Sequence, residues 1–595
     1  MTTPPQLAAA IENLLPSPRL EFIGGWQRFD DTRWHIPFRA RLSAEPIDVM
    51  PEWTAWHLVL WPVAGGVDMD IYPAVEGGIE GTFSHQEFNA PWPDDRPWTK
   101  GKPCLERPAA IFRREGWSGE PLDLDGRIAW RLERLLDWID AAATDELVAP
   151  GDPLELPVLP NADTFKILGF SECEDDFDAW LNLGHQWGLA TLAALPGARD
   201  THVITDFMDP QLHSLREVRW SKAIKSGQSG VDAVWILLPA LPVGRPWSSA
   251  RTWQELSRWC VDHYVDLPAI LEAAGARLRR IQNRMPPRPV HLVLGFPMAE
   301  REGDAPTRLH WLAISNLMLC RREDVRRGFR NIETARKAWD REFNVAQRPI
   351  AWRTSRNYAP DQIRRRGSAD AALRSKRVLM IGAGAIGSAV ASNLLRMGVT
   401  RLGVMDDDTL VVGNLARHSL CMADVGWKKA DGLANHLNLT MPDADVVAFP
   451  EAFPPADKKQ IAEMAKFDVI VDCSGSDDVL RALAAFPWET ERHFVSLSMT
   501  WGAKGLFAYS ASEAAFPAHD AIERFAGIAN AAVDAEDWEM EGIGCWHPVF
   551  PASANDVQLW GAIGTKFIRR AVETTDRLCE LYEQQDDGTV ERTSL

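Results

Sequence analysis

An apolar run, Val378-Leu-Met-Ile381, leads straight into Gly382-Ala-Gly384-Ala-Ile-Gly387, and an acid, Asp406, stands 22 residues beyond Gly384. A strand that delivers the backbone into such a turn, with a helix opening on its far side, is half of a βαβ unit. The turn gathers main-chain amides at a helix N-terminus, where they bind phosphate, and the acid then meets ribose hydroxyls. The glycines and Asp406 alone suit a nicotinamide dinucleotide just as well. Asn414-Leu-Ala-Arg417 and Gly426-Trp-Lys-Lys429 follow. Arg417 and Lys429 can neutralise charge developing on phosphates, and Asn414 can orient them. This set implies a nucleotide site that consumes ATP.

From residue 377 onward, strand and helix patterns alternate: Arg377–Ile381, Gly387–Met397, Leu402–Asp406, Lys428–Leu439, Asp468–Asp472, Asp477–Ala485 and Phe494–Met499. That alternation predicts a doubly wound, mostly parallel sheet over a domain spanning 351–595. At 595 residues the chain has room for about three domains. Residues 1–150 read as a small α+β unit. A helix is expected over Gln6–Leu15, then a meander of Trp34–Leu42, Thr54–Trp61 and Val67–Tyr72, then an irregular stretch from Pro73 to Pro121. A helix over Arg127–Ala143 has Ile128, Leu132, Leu135, Leu136 and Ile139 on one face. Pro150-Gly-Asp-Pro153 marks a linker, and 151–350 reads as a mixed α/β scaffold with strands Ala233–Leu238 and Val290–Phe296 and a helical stretch Trp253–Asn283. The fold class expected is therefore α/β multidomain.

A net charge of −19 argues against bulk nucleic-acid or anionic-membrane binding. The start, Met1-Thr-Thr-Pro-Pro, lacks a signal-peptide pattern, and no apolar run is long enough to span a bilayer, so a cytoplasmic location is expected. Eight dispersed cysteines form no Cys-x-x-Cys pair, which speaks against a zinc ribbon or a disulfide framework.

Gly382, Gly384, Gly387, Asp406, Asn414, Arg417 and Lys429, in this order over about 200 residues, resemble the adenylating domain of ubiquitin-activating enzymes and their bacterial ThiF/MoeB-type relatives in thiamine and molybdopterin synthesis. The resemblance implies ATP and Mg2+ as cofactors. Relatives carry Asp-Cys-Thr-Asp after the fourth strand, the last Asp holding magnesium. Here the run is Asp472-Cys-Ser-Gly-Ser-Asp477-Asp478, which makes Asp477 the magnesium candidate and Asp472 the other. It also implies a homodimer through 377–595, with an arginine from Arg353–Arg366 reaching ATP of the same or the opposite subunit.

Two cysteines stand in reactive settings. Cys545, in Gly542-Ile-Gly544-Cys545-Trp-His547, has flanking glycines for mobility and a histidine that can lower its pKa. Cys104 ends Gly101-Lys-Pro-Cys104-Leu, downstream of His85 and Asn89. Position and pattern resemble the active-site stretch of ubiquitin-conjugating enzymes. His-Pro-Asn is broken up here, and the resemblance would give Asn89 an oxyanion role.

The whole chain is similar to bacterial proteins that fuse a ubiquitin-conjugating-like domain, a linker domain and an activating-like domain, found in anti-phage operons of the CBASS type. That implies ATP-dependent ligation of a partner's C-terminus, either a cyclic-oligonucleotide synthase (CD-NTase) or a ubiquitin-like protein. The acyl group would form a thioester on Cys545, move to Cys104, and end in an isopeptide bond to an acceptor lysine. A sulfur-carrier adenylyltransferase, an NAD-dependent oxidoreductase and a non-catalytic binding protein remain alternatives at this stage.

Overall fold

In the computed structural model, residues 17–64, 66–105, 120–160, 162–224, 231–282, 290–320, 332–343, 346–533, 540–541, 547–548 and 550–595 are described. Among them, three large sheets organise the chain. The expected helix Gln6–Leu15 and Cys545 lie outside the described residues.

The first sheet is an antiparallel meander of β1 (Leu20–Phe22), β2 (Trp34–Arg41), β3 (Trp53–Val63) and β4 (Gly66–Pro73), in that spatial order. Helix α1 (Leu124–Ala143) covers one face, its first turn capped by the Asp123 carboxylate, which accepts the Gly126 N–H at 2.7 Å. The expected stripe Ile128, Leu132, Leu135, Leu136 and Ile139 is buried against Phe38, Leu58, Met69 and Phe83. Each such side chain contributes roughly 1.5–3 kcal/mol on burial. The segment between β4 and α1 carries Cys104.

The middle sheet runs β5 (Asp163–Phe170), β12 (Trp352–Asn357), β11 (Arg308–Leu317), β10 (Val290–Met298), β9 (Ala233–Leu237), β6 (Trp187–Ala194), β7 (Asp200–Met208) and β8 (Ser214–Glu217). β5 also pairs with β7, so the sheet closes on itself. The interior is filled by Trp180, Trp235, Trp311 and Phe207. Helices α2 (Trp253–Asp262) and α3 (Leu267–Gln282) pack outside, with α4 (Glu333–Phe343) tied to α3 by the Arg279–Asp340 ion pair. The single helical stretch expected from Trp253 is thus two helices. The chain breaks at Tyr264, which adopts φ +60°.

In the third sheet the order is β15 (Asp445–Phe449), β14 (Arg401–Met405), β13 (Val378–Ile381), β16 (Val469–Asp472), β17 (Arg492–Met499), β18 (Gly505–Glu513), β19 (Leu578–Gln584) and β20 (Val590–Ser594). β15 through β17 are parallel, and the last three strands join antiparallel. All four residues of β13 are buried, as a parallel strand covered on both faces requires. Helices α5 (Ala385–Arg396), α6 (Lys429–Thr440), α8 (Asp477–Ala485) and α10 (Ala554–Glu573), with α7 (Lys458–Met464) and α9 (Ala518–Val533) between them in chain order, connect the strands. The C-terminal unit is of the doubly wound class expected. The sheets also touch through their loops: Ser221 N–H donates to Pro442 O at 2.6 Å, and Trp247 N–H to Thr82 O at 2.8 Å.

Candidate functional site

β13 ends at Gly382, which takes φ +90° so that the chain can turn; a Cβ there would meet the Cys473–Ser474 backbone at 2.8 Å. Gly387 packs its helix on the turn, where a Cβ would lie 2.0 Å from Gly382 O. Gly384 differs from both. Among the described residues a Cβ there meets nothing within 4 Å, so they leave the space above it open, at the N-terminus of α5. That is the cradle a phosphate needs.

The peptide between the first two glycines is gripped from both sides. Asp406 Oδ2, at the end of β14, accepts the Ala383 N–H at 2.7 Å, and Oδ1 accepts the Asp408 N–H at 2.8 Å. A carboxylate has about four lone-pair sites, so ribose hydroxyls can still bind. On the other side His418 Nε2 donates to Ala383 O at 2.6 Å, while Nδ1 accepts the Leu420 N–H at 3.1 Å. This network sets a neutral ring, and burial pushes its pKa below the usual value. His418 directly follows Arg417, so it ties that arginine's loop to the glycine turn. The sequence reading did not single it out.

Arg417 Nη1 donates to Phe550 O, and its guanidinium lies over the Phe550 ring at 5.9 Å. Asn414 Oδ1 accepts the Val411 N–H at 3.1 Å. Lys429 is buried at the start of α6, with Nζ 2.7 Å from Asp408 Oδ2. The Asp408 side chain is 67% exposed, so the lysine's partner lies at the surface. Asp406, Asp407 and Asp408 have carboxylate oxygens within 4.8 Å of one another.

The two magnesium candidates differ sharply. Asp472 is 1% exposed, and its oxygens accept from Ser474 Oγ at 2.6 Å and Ser496 Oγ at 2.9 Å. Burial raises its pKa. Asp477 is exposed in the first turn of α8, with Arg481 at 3.5 Å, and offers the hard oxygen donor that magnesium prefers.

In the arginine segment, Arg353 and Arg364 are buried in ion pairs, with Asp200 at 2.8 Å and Asp443 at 2.6 Å, and so hold the fold together, whereas Arg356 and Arg366 are exposed. Arg365 pairs with Glu300 at 2.8 Å.

Around Cys104 the chain folds into a short antiparallel pair. Gln86 bridges Pro103, and the Cys104 N–H donates to His85 O at 2.6 Å. Cys104 itself is exposed. The oxyanion role implied for Asn89 is corrected. Its Nδ2 donates to Ile79 O at 2.8 Å and Gly81 O at 3.0 Å, and its Oδ1 accepts from Thr99 Oγ1 at 2.5 Å. With both donors committed and the residue buried, Asn89 is a loop clamp. Gly101 lacks a side chain because a Cβ would lie 2.6 Å from Asn89 Oδ1.

The Cap2 central linker domain family matches residues 145–358, and the ThiF family matches residues 354–511. Over 589 residues, 99% of this chain and 98% of the other, the sequence is 44% identical to the ATP-dependent ubiquitin transferase-like protein Cap2 of Enterobacter hormaechei subsp. hoffmannii. The adenylyltransferase and sulfurtransferase UBA4 of Lodderomyces elongisporus is 31% identical over 103 residues, 17% of this chain and 22% of that protein. Among solved structures, Escherichia coli MccB with ATP aligns at TM-score 0.28 and 13% identity, covering 38% of this chain and 64% of that one.

Proposed function

The chain belongs to the Cap2 family of ATP-dependent ubiquitin transferase-like proteins, and from that premise we propose that it activates a partner protein's C-terminus with ATP and passes it through two cysteines to an amine. The observation that carries this reading is the space left open by the described residues over Gly384, in a turn whose Ala383 peptide is held by Asp406 and His418.

The partner's terminal carboxylate attacks the α-phosphate of ATP, and pyrophosphate leaves with the bonding electrons. Amides at the start of α5 hold the phosphates, Asp406 holds the ribose, and Asn414 orients the triphosphate. Arg417 and Lys429 offset the charge that builds up, Lys429 by exchanging Asp408 for phosphate oxygen. Magnesium, when bound at Asp477, supplies further charge neutralisation.

Cys545 thiolate then displaces AMP from the acyl-adenylate. Cys104 thiolate displaces Cys545 in turn, so that an acyl group reaches the N-terminal unit, which we read as ubiquitin-conjugating-like. Each thioester keeps part of the free energy of ATP cleavage, so neither handoff needs a second nucleotide. A lysine amine completes the isopeptide bond. The partner we favour is a cyclic-oligonucleotide synthase, with a separate ubiquitin-like protein as the second candidate, and the working form is a homodimer through the C-terminal unit. Among the described residues no helix is long and apolar enough to cross a membrane.

Exchange of labelled pyrophosphate into ATP tests the first step. It should require a C-terminal peptide from the synthase or ubiquitin-like protein encoded beside this chain, and should survive Cys545→Ala and Cys104→Ala. Tight NAD(H) binding without exchange would refute it.

A further inference from the structure

We propose that His85, backed by Glu155 from the segment that follows the N-terminal unit, is the base that frees the attacking amine at Cys104. This rests on reading Cys104 as the last acyl carrier.

The backbone brings the two residues together. Gln86 and Pro103 form an antiparallel bridge, flanked by hydrogen bonds from Cys104 N–H to His85 O at 2.6 Å and from Glu87 N–H to Lys102 O at 2.9 Å. His85 and Cys104 are therefore opposed across the pair, joined by the backbone bond between them. Gln86 is buried at 5% exposure, whereas Cys104 is exposed and the His85 side chain is part-exposed at the same end of the pair.

His85 is also conformationally unusual. It sits at φ +54°, a region that costs a non-glycine residue roughly 1–3 kcal/mol and that surrounding contacts must impose. The imposing contact is Glu155. Its Oε2 accepts the His85 N–H at 2.8 Å and lies 3.6 Å from His85 Nδ1. One carboxylate oxygen thus fixes the backbone and faces one ring nitrogen, which leaves Nε2 for a substrate. The His85 and Glu155 side chains are 27% and 30% exposed, sheltered yet within reach of an incoming amine. Lys102 and Glu87, two residues further along the pair, are 3.8 Å apart and complete the charged surroundings.

The chemistry needs such a group. A lysine amine has an ordinary pKa near ~10.4 and arrives protonated, and Asn89 is committed to the loop. His85 Nε2 accepts one proton from the ammonium, and Glu155 stabilises the imidazolium. The neutral nitrogen then attacks the thioester carbon. The C–N bond forms, the C–S bond breaks, and sulfur leaves with the electron pair as thiolate, taking up the nitrogen's surplus proton. The imidazolium returns its proton to water. The middle unit thereby supplies a working group to the N-terminal one, beyond acting as a spacer.

The test acylates the full-length protein with N-acetylglycine thiophenyl ester and follows the acyl group on Cys104 by peptide mass spectrometry. Free lysine or hydroxylamine is added across a pH series, with exposed Cys421 as the internal reference. His85→Asn, which tolerates the left-handed backbone, should slow discharge to lysine roughly 100-fold. It should spare discharge to hydroxylamine, which is already unprotonated at neutral pH. Glu155→Gln should likewise slow discharge to lysine while sparing discharge to hydroxylamine. Wild-type lysine discharge from His85→Asn, parallel loss with both nucleophiles, or wild-type lysine discharge from Glu155→Gln would overturn the assignment. If the wild-type acyl group leaves Cys104 no faster than Cys421, the carrier reading itself fails, and His85 loses its role with it.

Discussion

Substituting Gly384 by alanine separates nucleotide binding from folding. A Cβ at this position meets no heavy atom of the described residues within 4 Å, and the backbone, at φ −74° and ψ −160°, is open to any residue. Alanine narrows the unfolded ensemble, a gain of about 0.4–1 kcal/mol. Against that, alanine is a poorer residue than glycine just ahead of a helix, and the loss there is of similar size. The two nearly cancel, so the melting temperature should stay within a few degrees of the parent. The added methyl does occupy the space into which a phosphate must come. Forcing one extra methyl group into a filled contact costs about 1–3 kcal/mol, which corresponds to roughly 5- to 150-fold weaker binding. Calorimetric titration with ATP beside thermal unfolding reads both quantities. Gly387→Ala is the contrasting control, because its Cβ would lie 2.0 Å from Gly382 O and must distort the turn itself. It should lose stability and nucleotide together. A Gly384→Ala protein that binds ATP as tightly as the parent would refute the placement of phosphate at this turn.

His418→Ala should weaken ATP binding roughly tenfold or more through loss of the grip on Ala383. His418→Gln, which can both donate and accept, should restore most of it; equal affinity in both variants would make His418 irrelevant to the turn. Asn89→Ala strands Ile79 O and Gly81 O, leaves Thr99 Oγ1 only its bond to Pro73 O, and should cost about 2–3 kcal/mol of stability in chemical denaturation. Cys104 acyl discharge per folded molecule should be unchanged, whereas a selective loss of discharge would revive an oxyanion role. His57, His291 and His310 are buried neutral, each with its pKa pushed down by burial to about 4 from 6.5. The fold disfavours the proton, so their contribution is complete above pH 6.5 and is lost as pH falls towards 4. It amounts to roughly 3 kcal/mol per ring at most. A melting temperature that stays flat across this window would contradict their burial as neutral rings.

Local patterns carried the parts of this fold that were legible beforehand. Ile128, Leu132, Leu135, Leu136 and Ile139 recur at helical spacing because one face of α1 meets the meander. The βα alternation of the third unit shows in its runs because parallel strands are apolar on both sides. The closed middle sheet was largely hidden. A strand such as Trp187–Ala194, with buried residues on both faces, lacks the alternation that marks a half-buried strand. In the nucleotide site, the glycines and Asp406 announce themselves by spacing alone. His418 does not, since a lone histidine after an arginine has no pattern, and its partner Ala383 lies 35 residues away. Glu155 was equally unreadable, 70 residues from His85, and the clamp role of Asn89 depends on carbonyls that no sequence motif specifies.

The most direct test of the two-cysteine relay is a covalent trap. Cys104→Lys, expressed as a tagged full-length protein in its native cells, should accumulate one partner C-terminus in isopeptide linkage to the introduced amine, identified by mass spectrometry. The linkage should vanish when Cys545→Ala is added. An adduct that persists without Cys545, or no adduct from a protein that still exchanges pyrophosphate, would contradict the relay.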